Sequence, residues 1–209
     1  MTTRWTPSAT ALIVANLVPL VGVVLFDWDV FSVVSLFWLE NLVVGGFNVL
    51  RMAWVERGAE RRPAVKYVMI PFFAFHYGMF TLIHGVFVFS LFGGRMVQGI
   101  GFPSLVTIVD VIATQRLWVA VAALFISHGY SFVVNYLGSQ EYRTVTLERL
   151  MHQPYNRIIV LHLVVIFGGF VVMTLQEPRI GIALLVVIKI VVDLRAHLGE
   201  HRKLQTAVA

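Results

Sequence analysis

Glu40, His76, His84, His128, His162, Lys189 and Asp193 each sit inside a stretch that is otherwise apolar. A charged group at the centre of a membrane helix costs about 2.5–3.5 kcal/mol on insertion scales, so such residues need partners. His76, His128, His162 and Glu40 are good ligands for a divalent transition metal such as zinc, copper or iron. Two histidines on different helices can also serve as axial ligands to haem. His84, Asp193, Lys189, His197, Ser131 and Asn135 are the groups expected to orient those ligands or to pass protons. No HExxH motif ties the ligands together in sequence. The chain contains no cysteine, which excludes thiolate ligands, a cysteine nucleophile and disulfides.

Spacing sorts these residues into helical stripes. His128, Ser131 and Asn135 stand at i, i+3 and i+7, and Lys189, Asp193 and His197 at i, i+4 and i+8. Lys189 and Asp193, one turn apart, read as an internal ion pair. Tyr155 and His162 also share a face. His76 and His84 are separated by about 12 Å along a helix axis and about 80° around it, so they belong to different layers. Counting depth from the basic ends of the spans places Glu40, His76, His128 and His162 in one common layer, with His84 further out. The expectation is a metal site in that layer, with His84 guarding access or handling protons. Interhelical hydrogen bonding is the simpler role open to any one of these residues.

The elements that must position them are transmembrane helices. Of the 209 residues, 58% are hydrophobic and 13% charged, whereas a soluble domain is usually about half apolar and a quarter charged. Spans are expected at about 9–26, 30–53, 66–92, 116–137, 155–175 and 179–197. The predicted fold is an all-α polytopic transmembrane bundle of six spans, forming one domain over residues 1–209. Asn16 and Pro19 predict a tilt or kink in the first span, and Gly45-Gly46 and Gly168-Gly169 predict close helix approach. The segment 94–115, with Gly94, Gly99, Gly101 and Pro103, reads as an irregular outer piece or re-entrant turn. Twelve Lys and Arg residues fall on one side of this arrangement and three on the other, which places both termini in the cytoplasm. The net charge of +5 follows from that topology and gives no reason to expect nucleic acid. The partner is the lipid bilayer, and a homo-oligomer is compatible with the pattern.

FWLEN, FHYGMFTLIHG, SHGYSFVVNY, PYNRIIVLH and KIVVDLRAHLGEH together resemble an uncharacterised family of bacterial polytopic integral membrane proteins. The resemblance implies a multi-pass protein of the bacterial cytoplasmic membrane, and that the motif residues belong together. It supplies no ligand. The residues themselves leave two classes of function open. One is a membrane-embedded metalloprotein, which includes an enzyme acting on a small or lipidic substrate; the other is a proton-coupled transporter or a haem-binding membrane protein. An intramembrane serine hydrolase using Ser127 or Ser131 beside His128 lacks a GxSG motif around either serine.

Overall fold

The structure, a computed structural model, describes residues 19, 21–23, 25–55, 64–94, 103–175 and 186–187. Among these residues the fold is all helix and turn. Helix α1 covers Val30–Trp54, α2 Ala64–Phe92, α3 Leu105–Thr114 and α4 Trp118–Tyr130. Helix α4 continues directly into a π-helix at Ser131–Gly138. A short 3₁₀ turn at Glu141–Arg143 then leads to α5 at Leu147–His152 and α6 at Tyr155–Leu175. Most of the expected first span and nearly all of the sixth, with Lys189, Asp193 and His197, lie outside the described residues.

Helix α1 starts where Asp29, in extended backbone, accepts a hydrogen bond from the Ser32 N–H at 2.8 Å. That satisfies one of the free amides at the helix N-terminus. Three helices among the described residues are long and apolar enough to cross a membrane: α1, α2 and α4 with its π-helical extension. They differ in burial. The most apolar window of α1 is 72% buried, against 39% for α2 and 6% for the α4 segment. Among the described residues, helix α1 is therefore the most enclosed of the three and the α4 segment the least.

Helices α1 and α2 pack closely because small residues face large rings. A Cβ on Gly85 would come within 2.8 Å of the Trp38 ring, and one on Gly45 within 2.5 Å of the Tyr77 ring. Gly46, by contrast, has nothing within 4 Å of such a Cβ. The Trp38 Nε1–H donates to the Thr81 carbonyl at 2.7 Å. Small residues bring helix backbones close in a membrane, where apolar burial alone gives no drive to associate.

Apolar residues gather in two clusters. One holds Phe31, Val34, Trp38, Phe89, Leu117 and Val164. The other, at the basic end beside Arg51, holds Met52, Val55, Phe73, Tyr136, Leu147 and Leu150.

Three features differ from expectation. The segment expected to be irregular contains α3, a ten-residue helix capped by the Ser104 hydroxyl, which accepts from the Thr107 N–H at 3.1 Å. Its Val111 is buried, and Ile108 and Ile112 pack beside it, so the apolar stripe decides the conformation over the flanking glycines and Pro103. The expected stripe of His128, Ser131 and Asn135 crosses from α-helix into π-helix. The i→i+5 winding there turns successive residues through a smaller angle than the α-helical spacing assumes. Finally, the stretch between α4 and α6 folds into the bundle. Leu147 and Leu150 are buried, and the Asn48 amide donates to the Leu150 carbonyl at 2.9 Å. Tyr155, the first residue of α6, therefore meets His76, about 18 Å along α2 from its start.

Candidate functional site

Helices α1, α2 and α6 share a polar seam in two layers. In the first, the Glu40 carboxylate accepts from the Arg157 guanidinium at 2.5 Å. The Tyr77 hydroxyl, buried, donates to the Asn41 carbonyl at 3.1 Å. His76 Nδ1 lies 2.6 Å from the Tyr155 hydroxyl, with its ring between Phe72 and Phe80. In the second layer, about 12 Å further along α2, His84 Nε2 lies 3.0 Å from His162 Nδ1.

The expected common layer of Glu40, His76, His128 and His162 is thus divided among separate partners. Glu40 meets Arg157, His76 meets Tyr155, and His162 meets His84. His128, on α4, stacks against Phe47 at a centroid distance of 6.1 Å. Glu40 and Arg157 reach His128 electrostatically, but no hydrogen bond among the described residues joins it to them. Among the described residues no group of three or more His, Asp or Glu could hold a metal ion. The cause is register. Because the 139–154 stretch occupies the basic end, α6 enters deep in the bundle, and His162 rises to the level of His84.

Arg157 is one of the twelve basic residues that fall on one side of the expected arrangement. Its place one helical turn before Leu161 and His162, on the same side of α6 as buried Val160 and Val164, is the signal that it turns inward.

A family model matches residues 2–209 of the chain. The chain belongs to DUF6498, a family of unknown function. No curated protein and no solved structure matches it. The fold of this DUF6498 chain joins sequence stretches far apart. FWLEN supplies Glu40 and Asn41, FHYGMFTLIHG supplies His76, Tyr77 and His84, and PYNRIIVLH supplies Tyr155, Arg157 and His162. All three stretches meet in the seam.

The second layer of the DUF6498 seam has a defined proton arrangement. His84 Nδ1 lies 2.7 Å from the Phe80 carbonyl oxygen. A carbonyl can only accept, so Nδ1 carries a hydrogen. In neutral His84, Nε2 is then a bare acceptor, and the hydrogen between the rings belongs to His162 Nδ1. Neutral His162 must therefore leave its own Nε2 unprotonated. The chain of donors runs from His162 through His84 to Phe80, and its open end is His162 Nε2. At 3.0 Å the two facing nitrogens are closer than the roughly 3.3 Å set by two metal–nitrogen bonds of 2.0–2.1 Å at a tetrahedral angle. Their spacing suits a shared hydrogen.

Beside the first layer lies a cavity of about 10 Å³, lined by Phe37, Glu40 and Asn41 of α1 and Arg157, Val160, Leu161 and Val164 of α6. Its size fits one water molecule, and Glu40, Asn41 and Arg157 offer that water polar partners. The α6 residues that line it span about 10 Å of helix, most of the distance between the layers.

Proposed function

We propose that this protein handles protons inside the membrane, as the relay of a proton-coupled transporter. The observation that carries the reading is the direct hydrogen bond between His84 and His162. Histidine is the side chain best suited to gain and lose a proton near neutral pH. A proton arriving at His162 Nε2 makes that ring an imidazolium. The hydrogen between the rings can then pass to His84 Nε2, leaving His162 neutral and His84 charged. A second proton would set two N–H groups against each other at 3.0 Å, so the pair holds one added proton at a time. The Phe80 carbonyl ends the chain, because it cannot pass a proton on. Protons therefore enter and leave at His162 Nε2, and His84 holds the added proton between those two events.

The first layer supplies the remaining polar groups of the route. A water in the cavity beside Glu40 and Arg157 would extend it toward the second layer. We place this relay in a single-domain bundle of six spans in the bacterial cytoplasmic membrane, with both termini cytoplasmic as the basic residues direct.

A metal ion is the second reading, and one observation favours it. His84 holds His162 as an outer partner holds a metal-ligating histidine, with the distal nitrogen bare. Zinc, copper, iron or haem would need further ligands beyond those the described residues bring to His162. Elemental analysis of untagged protein separates the readings: near-stoichiometric metal that is lost in His162→Ala supports the metal.

Proton movement is tested with the full chain in vesicles that contain a pH-sensitive dye, driven by a potassium diffusion potential. Wild type should acidify the lumen faster than protein-free vesicles. His162→Phe and His84→Phe should abolish the difference. His152→Phe, at an exposed histidine of α5, should retain it. Wild-type rates equal to those of empty vesicles, or an active His162→Phe variant, would contradict the relay.

A further inference from the structure

Arg51, Ser131 and Asn135 make a second polar group, remote from the histidine pair and of a different character. Arg51 lies in the last turn of α1, and its Nη2 donates to the Ser131 hydroxyl oxygen at 3.2 Å. The Asn135 amide donates to the same oxygen at 3.4 Å. Two donors therefore occupy the acceptor positions of Ser131, and its hydrogen points elsewhere as a further donor. The guanidinium is held from behind. Its central carbon lies 5.6 Å from the centre of the buried Tyr136 ring, and the Tyr136 hydroxyl donates to the Arg51 carbonyl at 2.7 Å.

The cluster has donors in excess. Among the described residues Arg51 makes no ion pair with a carboxylate, and its buried Nε has no hydrogen-bond partner. Glu141, whose charge reaches Tyr136, does not pair with it. A cationic fork, an amide N–H and a hydroxyl converging from two helices match a tetrahedral oxyanion, and the planar guanidinium suits phosphate in particular.

The position indicates the source. Asn135 is exposed, as are Val133 and Val134 beside it, on the least enclosed of the three long apolar segments among the described residues. Trp54 is also exposed and packs edge-on against Phe132 next to the cluster. An exposed tryptophan beside an arginine at a helix end marks headgroup depth. The site also lies where the helix changes to π winding, a local form that recurs at functional sites.

We infer that Arg51, Ser131 and Asn135 bind a phosphate group, and that the phosphate belongs to an anionic phospholipid of the leaflet at the basic end. The inference does not depend on the proton relay.

Native mass spectrometry of the full chain in detergent, titrated with phosphatidylglycerol, phosphatidylcholine or inorganic phosphate, tests it. Wild type should bind phosphatidylglycerol more tightly than phosphatidylcholine. Arg51→Met should weaken phosphatidylglycerol by about tenfold or more, since a hydrogen bond to a charged group contributes about 1.5–3 kcal/mol. Asn135→Leu, at an exposed position that leaves the fold intact, should weaken it in the same direction. Arg149→Gln, at an exposed arginine of α5, should leave it unchanged. Equal phosphatidylglycerol binding by wild type, Arg51→Met and Asn135→Leu would overturn the site. Arg51-dependent binding of inorganic phosphate without any preference for phosphatidylglycerol would overturn the lipid as its occupant.

Discussion

The Arg157 guanidinium closes on the Glu40 carboxylate at 2.5 Å, joining positions 117 residues apart. The Glu40 side chain is 19% exposed and that of Arg157 43%, so the carboxylate depends on its partner more than the guanidinium does. Removing one partner leaves a charge uncompensated, whereas removing both does not. Glu40→Gln and Arg157→Gln should each destabilise the protein, and the double variant should lose less than their sum. A double-mutant cycle on unfolding in detergent should give a coupling of about 0.5–3 kcal/mol. Strict additivity would show that the contact contributes nothing.

Helix packing gives a prediction with an internal control. Gly85→Ala drives a methyl into the Trp38 ring and Gly45→Ala drives one into Tyr77, while Gly46→Ala meets open space. The first two substitutions should destabilise the bundle by about 1–3 kcal/mol, the range for overpacking. Gly46→Ala should be neutral or slightly stabilising. Thermal unfolding of the three variants in one detergent checks the order.

How far the sequence reaches is clearest from two residues. Trp38 was legible as part of an apolar span, because composition and length alone identify a membrane helix. The partner of His76 was not. Depth counting assumed that the spans start at a common level, whereas α6 starts beside His76, part-way along α2, after a stretch whose Leu147 and Leu150 are buried in the core. One displaced helix start moved His162 from the level of His76 to that of His84. Periodicity also assumed 100° per residue, which fails over the π-helical residues Ser131–Gly138. Individual polar residues could therefore be recognised from the sequence, but their pairing depended on register between helices, which no local pattern encodes.

The His76 contact has its own test. Tyr155→Phe removes the hydroxyl that lies 2.6 Å from His76 Nδ1 and keeps the ring packed against Phe73 and Tyr77. The expected loss is about 0.5–1.5 kcal/mol of stability, that of one hydrogen bond. It should fall to near zero when measured in a His76→Phe background. An undiminished loss in that background would assign the hydroxyl to another partner.

Topology is tested by reporter fusions. Twelve basic residues on one side against three on the other predict that fusions at Ala59 and Gly101 report opposite compartments, with Ala59 cytoplasmic. The same signal from both would contradict the six-span arrangement.

The proton arrangement of His84 and His162 is the centre of the account, and histidine-selective ¹⁵N solid-state NMR in lipid reads it directly. At alkaline pH the account predicts His84 protonated at Nδ1 with Nε2 as an acceptor, and His162 also protonated at Nδ1 with Nε2 bare. On acidification the pair should gain one proton, with signal from the added proton on both rings and none from two simultaneous imidazolium ions. His84→Phe should release His162 from its single tautomer into a mixture. A His84 ring protonated at Nε2 at alkaline pH, or two charged rings at acidic pH in a folded protein, would contradict the account.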